Sequence, residues 1–286
     1  MKRLLTRLLA GCVIFGITLA AATMNSISVE ETGSGDPIVF LPGLGCPGSV
    51  WKAVAALLPG RRKILVSIHG FGGVPGRQTD FAAVRDSVAQ LIREKHWHNV
   101  LLVGHSFGGD LALSLAAHNP GLFARVVILD AYPFPAAMLK PGLTAEEARG
   151  MAQPLRAMLM SLSDEQWRAQ QAQMLRMMIT SDQNYRTVLE WMVVSDRTTV
   201  AEAQFEAVST DLRPLLPRIE CPLLVLGSWR GRESMGFSHA SVETALTEQY
   251  RGAPRCRIEI SDSARHFLLL DDPDWVARRI ASFIRQ

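Results

Sequence analysis

The feature that most constrains the fold of this chain is a short turn around Ser106, in the segment 104–109 (GHSFGG). The apolar run 100–103 precedes this segment and the small-residue run 111–117 follows it, which predicts a strand, a sharp turn and a helix. Glycines are expected on both sides of the serine because a Cβ atom there would collide with the strand or the helix. The pattern predicts a hydroxyl presented at a strained backbone position. The alternative is an ordinary glycine-rich turn in which Ser106 only caps the helix.

The rest of the chain alternates short apolar runs with helical patterns. Strands are predicted near residues 27–31, 37–41, 63–68, 100–103, 126–129, 223–226 and 257–260. The first of them is expected at an edge. An amphipathic helix is predicted from Asp80 to about Lys95, and a terminal helix is predicted to begin near Asp272 and Pro273. Strands that alternate with helices predict an α/β fold with a mostly parallel sheet covered on both faces.

Residues 134–217 break this alternation. Helical patterns without convincing strands cover Thr144–Leu162, Asp164–Met178, Gln183–Met192 and Val200–Val208. We therefore predict a helical lid at 134–217, inserted into a core that is formed by 27–133 and 218–286. Eight methionines lie in this segment, each typical of ordinary helix packing, and together they indicate an apolar, adaptable roof.

The first 22 residues have the layout of a secretory signal peptide. Three basic residues lie within the first seven positions, and the stretch 8–22 is apolar apart from Thr18 and ends in three alanines. This stretch is shorter than the ~20 residues that span a bilayer. We expect a secreted or periplasmic protein with cleavage near Ala22, and an uncleaved membrane anchor is the alternative. A lipoprotein-like site at Cys12 is less favoured, because most of the apolar stretch follows that cysteine.

Charge and cysteine content give no indication of a nucleic-acid or metal partner. The net charge is +3 at pH 7, and three basic residues lie in the leader, so the remainder is neutral and nothing indicates nucleic-acid binding. Outside the leader, Cys46, Cys221 and Cys256 show no metal-binding spacing, so no metal is expected and at most one disulfide could form. Cys46 is interpreted as a small loop residue, because no strand-turn-helix pattern presents it as a nucleophile.

A serine hydroxyl needs a base within hydrogen-bond reach and a third group that orients the base. His266 is the predicted base, because it follows the last predicted strand and precedes the terminal helix. His105, beside Ser106, is interpreted as structural support for the turn. His69 precedes a glycine-rich loop that is expected to line the mouth of a pocket, so His69 and Phe71 are predicted substrate contacts.

Two backbone N–H groups are needed to stabilise the oxyanion of a tetrahedral intermediate. Phe107 directly follows the predicted nucleophile and is expected to supply the first. Leu44, which lies in the segment 41–45 (LPGLG) after a predicted strand, is the candidate for the second. A plain Gly/Pro turn would need the same glycines and stays the alternative.

The segments 42–45 (PGLG), 104–109 and 265–267 (RHF) together resemble those of the α/β-hydrolase superfamily. The resemblance covers roughly Pro37 to the C-terminus apart from the predicted lid. It implies an eight-stranded, mainly parallel core and a Ser-His-acid triad that works without a cofactor. Relatives usually carry His-Gly at the oxyanion loop, where this chain has Pro42, but a backbone donor does not depend on that side chain.

The resemblance leaves the acid of the triad open. In this superfamily the acid usually follows the strand that matches 223–226, but here the segment 227–233 has Arg and Gly at the expected place, and Glu233 is displaced. Some members carry the acid at the end of the strand after the nucleophile helix, which is where Asp130 stands. We expect Asp130 to be the acid, with Glu233 as the alternative.

These residues predict a serine hydrolase that cleaves a small apolar ester, thioester or lactone through an acyl-enzyme on Ser106. The expected partner is a small molecule, with no cofactor, metal or nucleic acid, and with membrane contact only through an uncleaved leader. Two alternatives stay open. A non-catalytic small-molecule-binding relative is one, because the acid is not settled. An acyltransferase is the other, in which an alcohol replaces water in the second step.

Overall fold

The computed structural model describes residues 26–77, 80–138, 140 and 142–286. The predicted leader at 1–22, with Cys12, lies outside these residues. Seven strands form one sheet in the described part of the chain, so the expectation of eight strands is wrong for it. Of the described residues, only 26–36 precede the second strand, which is room for one strand. The strands are β1 (Ile27–Thr32), β2 (Pro37–Leu41), β3 (Arg62–Ile68), β4 (Leu101–His105), β5 (Arg125–Leu129), β6 (Leu223–Ser228) and β7 (Cys256–Ser261).

The strand order across the sheet is β1-β3-β2-β4-β5-β6-β7. β1 pairs antiparallel with β3 at one edge, and the other pairings among these strands are parallel. Every residue of β2, β4 and β6 is buried, as expected for parallel strands covered on both faces. The chain runs outward from β2 to β3 and then returns to β4 on the other side of β2. Ligands of open α/β sheets bind beside the carboxyl ends of the strands at such a reversal.

Helices flank the sheet, and their positions follow the sequence patterns closely. The Asp80 carboxylate caps the predicted amphipathic helix by accepting from two N–H groups of its first turn. No helix within the described residues combines the length and apolar character needed to cross a membrane. The α-helices are α1 (Lys52–Ala56), α2 (Phe81–Glu94), α3 (Phe107–His118), α4 (Ala145–Ser161), α5 (Asp164–Met178), α6 (Asp182–Val194), α7 (Arg197–Ser209), α8 (His239–Gln249), α9 (Leu268–Asp271) and α10 (Pro273–Ile284).

Helices α4 to α7 lie between β5 and β6, in the segment predicted to be a lid. α4 packs against α7, and α5 packs against α6. Thr144 and Ser163 begin α4 and α5 with capping boxes, in which side chain and backbone satisfy each other's hydrogen bonds. Such local signals explain why the sequence pattern locates these helices. The lid role and the boundaries 134–217 stay a prediction.

Candidate active site

The carboxyl ends of the central strands bring the predicted site residues to one edge of the sheet. Ser106 directly follows β4, Asp130 directly follows β5, and the segment that carries Leu44 follows β2. His266 lies between β7 and α9. Because parallel strands end at the same edge, four segments that are far apart in the sequence converge there.

The turn at Ser106 has the strained geometry that the sequence predicts. Its backbone has φ 52° and ψ −122°, outside the regions that non-glycine residues usually adopt. The Ser106 N–H donates to the Leu129 carbonyl at 2.9 Å, which holds the turn against β5. A Cβ atom on Gly104 would lie 2.1 Å from the Gly108 carbonyl oxygen, and one on Gly108 would lie 2.4 Å from the carbonyl oxygen of Leu41. Strand, turn and helix therefore approach too closely for larger residues.

His266 and Asp130 form the central contact of the site. The imidazole Nδ1 donates to Asp130 Oδ2 at 2.7 Å, across 136 positions of sequence. The Asp130 side chain is fully buried, and its backbone has φ 42°, a left-handed conformation that aspartate tolerates better than most residues. With a carboxylate at Nδ1, the neutral imidazole carries its proton there and keeps Nε2 free to accept one.

Asp130 also accepts hydrogen bonds from the segment that follows β5 in the sheet. The Ser228 N–H donates to Oδ1 and the Ser228 hydroxyl donates to Oδ2, each at 3.0 Å. Arg232 Nη1 lies 3.3 Å from Oδ2. Burial by itself raises the pKa of the Asp130 carboxyl, but the charge of Arg232 and the hydrogen bonds from His266 and Ser228 outweigh burial and hold that pKa well below its usual range. Asp130 is therefore a carboxylate at neutral pH.

His105 supports the loop that carries His266. Its Nε2 donates to the His266 carbonyl at 2.9 Å. Burial, reinforced by the charge of His266, lowers the pKa of His105 to about 3, so the ring is neutral at neutral pH. Its buried Nδ1 has no hydrogen-bond partner among the described residues and faces Gly43, where a Cβ atom would lie 2.7 Å away. His105 thus joins the Ser106 turn to the His266 loop.

Glu233 lies apart from His266. It belongs to the 3₁₀ helix Arg230–Met235, which follows β6. Its side chain is 56% exposed and lies 3.4 Å from the Arg230 guanidinium. The structure therefore brings Asp130, and not Glu233, to the imidazole.

Ser228 and Arg232 are two site residues that the sequence reasoning missed. Both lie at or just beyond the end of β6, and both donate to Asp130. The signal in the sequence was an arginine at the place where the superfamily usually carries its acid. An arginine there is the natural counter-charge for a carboxylate that has moved to the neighbouring strand.

Leu44 and Phe107 carry the N–H groups that the oxyanion prediction requires. Leu44 lies in a tight turn that is closed by the Cys46 N–H donating to the Gly43 carbonyl at 3.1 Å. Phe107 is the first residue of α3, where the helix dipole places partial positive charge. Neither N–H donates to a described residue. Leu44 lines the cavity beside Ser106 and Phe107 is not among its lining residues, and the oxyanion role stays a prediction for both.

A cavity of about 150 Å³ opens beside Ser106. Ser106 and His266 both line it, although no hydrogen bond joins their side chains; such contacts often tighten only when substrate binds. The Ser106 hydroxyl makes no hydrogen bond to any residue that the structure describes. The other lining residues are Leu44, His105, Met174, Leu175, Met178, Met192, Gln204 and Phe267.

His69 and Phe71 lie outside the lining of this cavity, as far as the described residues show. Phe71 is almost fully buried, and its ring centroid lies 5.7 Å from that of Phe107. The loop folds back on the core, with the Val74 N–H donating to the Phe71 carbonyl at 2.9 Å. The substrate-contact role stays a prediction for both residues, without support from the lining of this cavity.

Cys46, Cys221 and Cys256 all carry free thiols. Burial raises the pKa of the Cys46 thiol to about 12. A protonated thiol is a weak nucleophile, so this placement agrees with Cys46 as a small loop residue.

Comparison with known sequences identifies the family of this chain and several relatives. Residues 38–279 match the alpha/beta hydrolase family. The 2-(acetamidomethylene)succinate hydrolase of Mesorhizobium japonicum is 26% identical over 267 residues, which cover 91% of each chain. The sn-1-specific diacylglycerol lipase ABHD11 of Danio rerio is 30% identical over 108 residues, or 36% of this chain and 34% of the lipase. RutD of Serratia proteamaculans is likewise matched over only 40% of its length.

Solved structures share the fold over nearly the whole chain. A hydrolase from Pseudomonas aeruginosa PA01 superposes with a TM-score of 0.75 at 19% identity, covering 94% of this chain and 98% of that chain. A thermophilic esterase from Thermogutta terrifontis has a TM-score of 0.72 at 20% identity, covering 93% and 98%. The sheet, the helices that flank it and the family match over residues 38–279 agree with the resemblance seen in the sequence, and the chain belongs to the alpha/beta hydrolase family.

Proposed function

We propose that this protein is a hydrolase in which Ser106 is the nucleophile, His266 is the base and Asp130 is the acid that orients the base. The observation that carries the proposal is the 2.7 Å hydrogen bond from His266 Nδ1 to Asp130 Oδ2, made beside a cavity that Ser106 and His266 both line. Relatives named as a hydrolase and a lipase support hydrolysis as the class of reaction.

In the proposed reaction, Ser106 Oγ attacks the carbonyl carbon of an ester while His266 Nε2 takes the hydroxyl proton. The carbonyl electron pair moves to the oxygen, which accepts hydrogen bonds from the N–H groups of Leu44 and Phe107. Collapse of the intermediate breaks the ester C–O bond, and the departing alcohol receives the proton from His266. Water then attacks the acyl-enzyme with His266 again as the base, which releases the carboxylic acid and restores Ser106.

The cavity favours a small, uncharged substrate with an apolar acyl group. A volume of about 150 Å³ is room for roughly five water-sized groups. Besides Ser106 and the two histidines, Gln204 is the polar side chain in its lining, and the described lining residues include no charged Asp, Glu, Lys or Arg. We therefore propose a short-chain ester, thioester or lactone as the substrate class.

The proposal is tested with p-nitrophenyl acetate and p-nitrophenyl butyrate as substrates. Wild type is expected to release p-nitrophenol, and Ser106→Ala is expected to lose at least about 10³-fold in kcat, because the nucleophile is removed. A fluorophosphonate probe is expected to label wild type at Ser106 and to leave the variant unlabelled. Ser161→Ala is the matched control, since this hydroxyl lies on an exposed helix end.

Equal rates for wild type and Ser106→Ala would end the hydrolase proposal and favour a binding protein. Product analysis in the presence of an added alcohol addresses the acyltransferase alternative. Free carboxylic acid as the main product supports hydrolysis, whereas transfer of the acyl group to the alcohol contradicts it.

A further inference from the structure

Arg232 places a guanidinium against the carboxylate that orients His266. It lies in the 3₁₀ helix that follows β6, and its side chain is only 22% exposed, while that of Asp130 is fully buried. Its Nη1 lies 3.3 Å from Asp130 Oδ2 and 3.5 Å from Oδ1, and it donates to the Ser228 carbonyl at 3.0 Å. The guanidinium also stands over the Tyr132 ring, 5.2 Å from its centroid. These contacts hold the arginine against the carboxylate.

One carboxylate oxygen contacts both the imidazole and the guanidinium. Asp130 Oδ2 accepts from His266 Nδ1 at 2.7 Å and lies 3.3 Å from Arg232 Nη1. A positive charge this close to the carboxylate cancels part of the negative potential that reaches the imidazole. Because both side chains are largely buried, solvent screens this effect much less than it would at the surface.

The other ionisable groups described around His266 are either uncharged at neutral pH or engaged with other partners. From β4, His105 is neutral at neutral pH, and burial raises the pKa of the Tyr132 phenol above its usual value, so it is also uncharged. In the loop of His266 itself, the Arg265 guanidinium donates to the carbonyls of Arg176 and Ile179. Two carboxylates nearby have other partners: Asp271 accepts from Thr180 and the Arg265 N–H, and Glu233 pairs with Arg230.

We propose that Arg232 is a positioning residue that holds the Asp130 carboxylate in place for His266. The positive charge of Arg232 offsets part of the negative charge of the carboxylate. The imidazole therefore stays neutral, and able to accept a proton, at a lower pH than it would without Arg232. The inference rests on the proposed function, because it concerns the same Ser106 reaction. Arg232 touches neither the cavity nor the reacting atoms, so it acts through Asp130.

The test is the pH dependence of kcat/KM for p-nitrophenyl acetate between about pH 5 and 9, where the acidic limb reports protonation of the free enzyme's base. Arg232→Gln and Arg232→Met both remove the charge, and Gln keeps an N–H donor for Asp130. In each variant the acidic limb is expected to move upward by roughly one pH unit, because the full carboxylate charge then holds the proton on the imidazole. The plateau is expected to fall by about tenfold.

Two further variants control the experiment. Arg232→Lys keeps a cation and is expected to leave the acidic limb where it is in wild type, even if the plateau falls. Arg230→Met removes an exposed arginine of the same 3₁₀ helix that pairs with Glu233, and it is expected to change neither limb nor plateau. The position of the limb does not depend on the folded fraction as long as that fraction is constant over the pH range, which circular dichroism at each pH checks.

An acidic limb that stays at the wild-type pH in the neutral variants would overturn the proposal and leave Arg232 with a structural role only. If neither neutral variant folds, a limb displaced by about one unit in Arg232→Lys contradicts the proposal as well, since the charge is still present. Ser106→Ala is measured beside them. If that variant retains wild-type activity, the hydrolase proposal fails; if it is inactive and the limb does not move, only the inference about Arg232 fails.

Discussion

At the scale of single residues, the position of the acid follows from the pairing of two strands. β5 and β6 are neighbours in parallel register, with Leu129 opposite Leu226. The residue after β5 therefore lies beside the end of β6, where this superfamily usually carries its acid, and either strand end can reach the same imidazole. Here Asp130 contacts the imidazole and is the proposed acid, and Ser228 and Arg232 supply donors to it. A buried carboxylate needs such donors, because desolvation of an unpaired charge is costly.

Asp130→Asn and Glu233→Gln separate the two candidate acids. Asp130→Asn is expected to reduce kcat by about 10³- to 10⁴-fold, because an amide neither stabilises the imidazolium nor holds the required tautomer. Glu233→Gln is expected to stay within about twofold of wild type, since Glu233 forms only an exposed ion pair with Arg230. The measurement is kcat on p-nitrophenyl butyrate, with circular dichroism as the check on folding. A large loss in Glu233→Gln alone would reverse the assignment.

At the scale of elements, the junction between α6 and α7 contacts two loops of the core, one after β2 and one after β3. The Ser195 hydroxyl accepts from the Gly72 N–H at 2.8 Å and lies 3.2 Å from the Gly45 carbonyl oxygen. Gly45 has φ 67°, and a Cβ atom there would lie 2.5 Å from Met192 Sδ. Helix α6 thus approaches the loop that carries Leu44 closely, and Ser195 connects that loop to the loop after β3.

Ser195→Ala is expected to weaken this connection. The half-buried Gly72 N–H loses its acceptor, so the free energy of unfolding is expected to fall by about 1 kcal/mol. The kcat on p-nitrophenyl butyrate is expected to fall roughly 3- to 10-fold with little change in KM, because the N–H of Leu44 is then held less firmly for the oxyanion. Urea denaturation and steady-state kinetics measure the two effects. An unchanged kcat would show that the loop keeps its geometry without Ser195.

At the scale of the whole molecule, two buried carboxyls give stability opposite dependences on pH. The pKa of Asp130 is held below its unfolded value, so its contribution is present above about pH 4 and is lost as the pH falls through the folded-state pKa. Asp110 lies in the first turn of α3, and burial raises its pKa well above the usual value. Because the folded-state pKa is raised, the contribution of Asp110 is fully present below about pH 4 and is lost as the pH rises through the folded-state pKa.

Asp110→Asn is the test of this second effect. The amide has the same shape and no proton to gain, so the variant is expected to have a Tm several degrees above wild type at about pH 8. The difference is expected to shrink toward zero near pH 4, where the unfolded wild-type carboxyl is also largely protonated. Thermal denaturation at both pH values measures it. A variant that is destabilised equally at both values would mean that Asp110 has a hydrogen-bonding role that the amide cannot fill.

Much of this protein is determined by local sequence patterns. The alternation of apolar runs with helical patterns predicts the strands and helices closely, because each pattern reflects the burial of its own segment. The turn at Ser106 is equally local: the glycines at 104 and 108 allow a close approach that the structure shows within a few residues of the serine. His266 is predicted as the base for a similar reason, because it follows the last predicted strand and precedes the terminal helix.

Tertiary structure alone decided which side chains meet. The choice between Asp130 and Glu233, and the presence of Arg232 beside the acid, depend on contacts across 136 and 102 positions of sequence. The inward packing of Phe71 depends likewise on how a loop folds against α3. Local patterns report whether a segment is buried, but they carry no distance between segments. Only the order and register of the strands convert the segments into a site, because that arrangement sets which strand ends lie side by side.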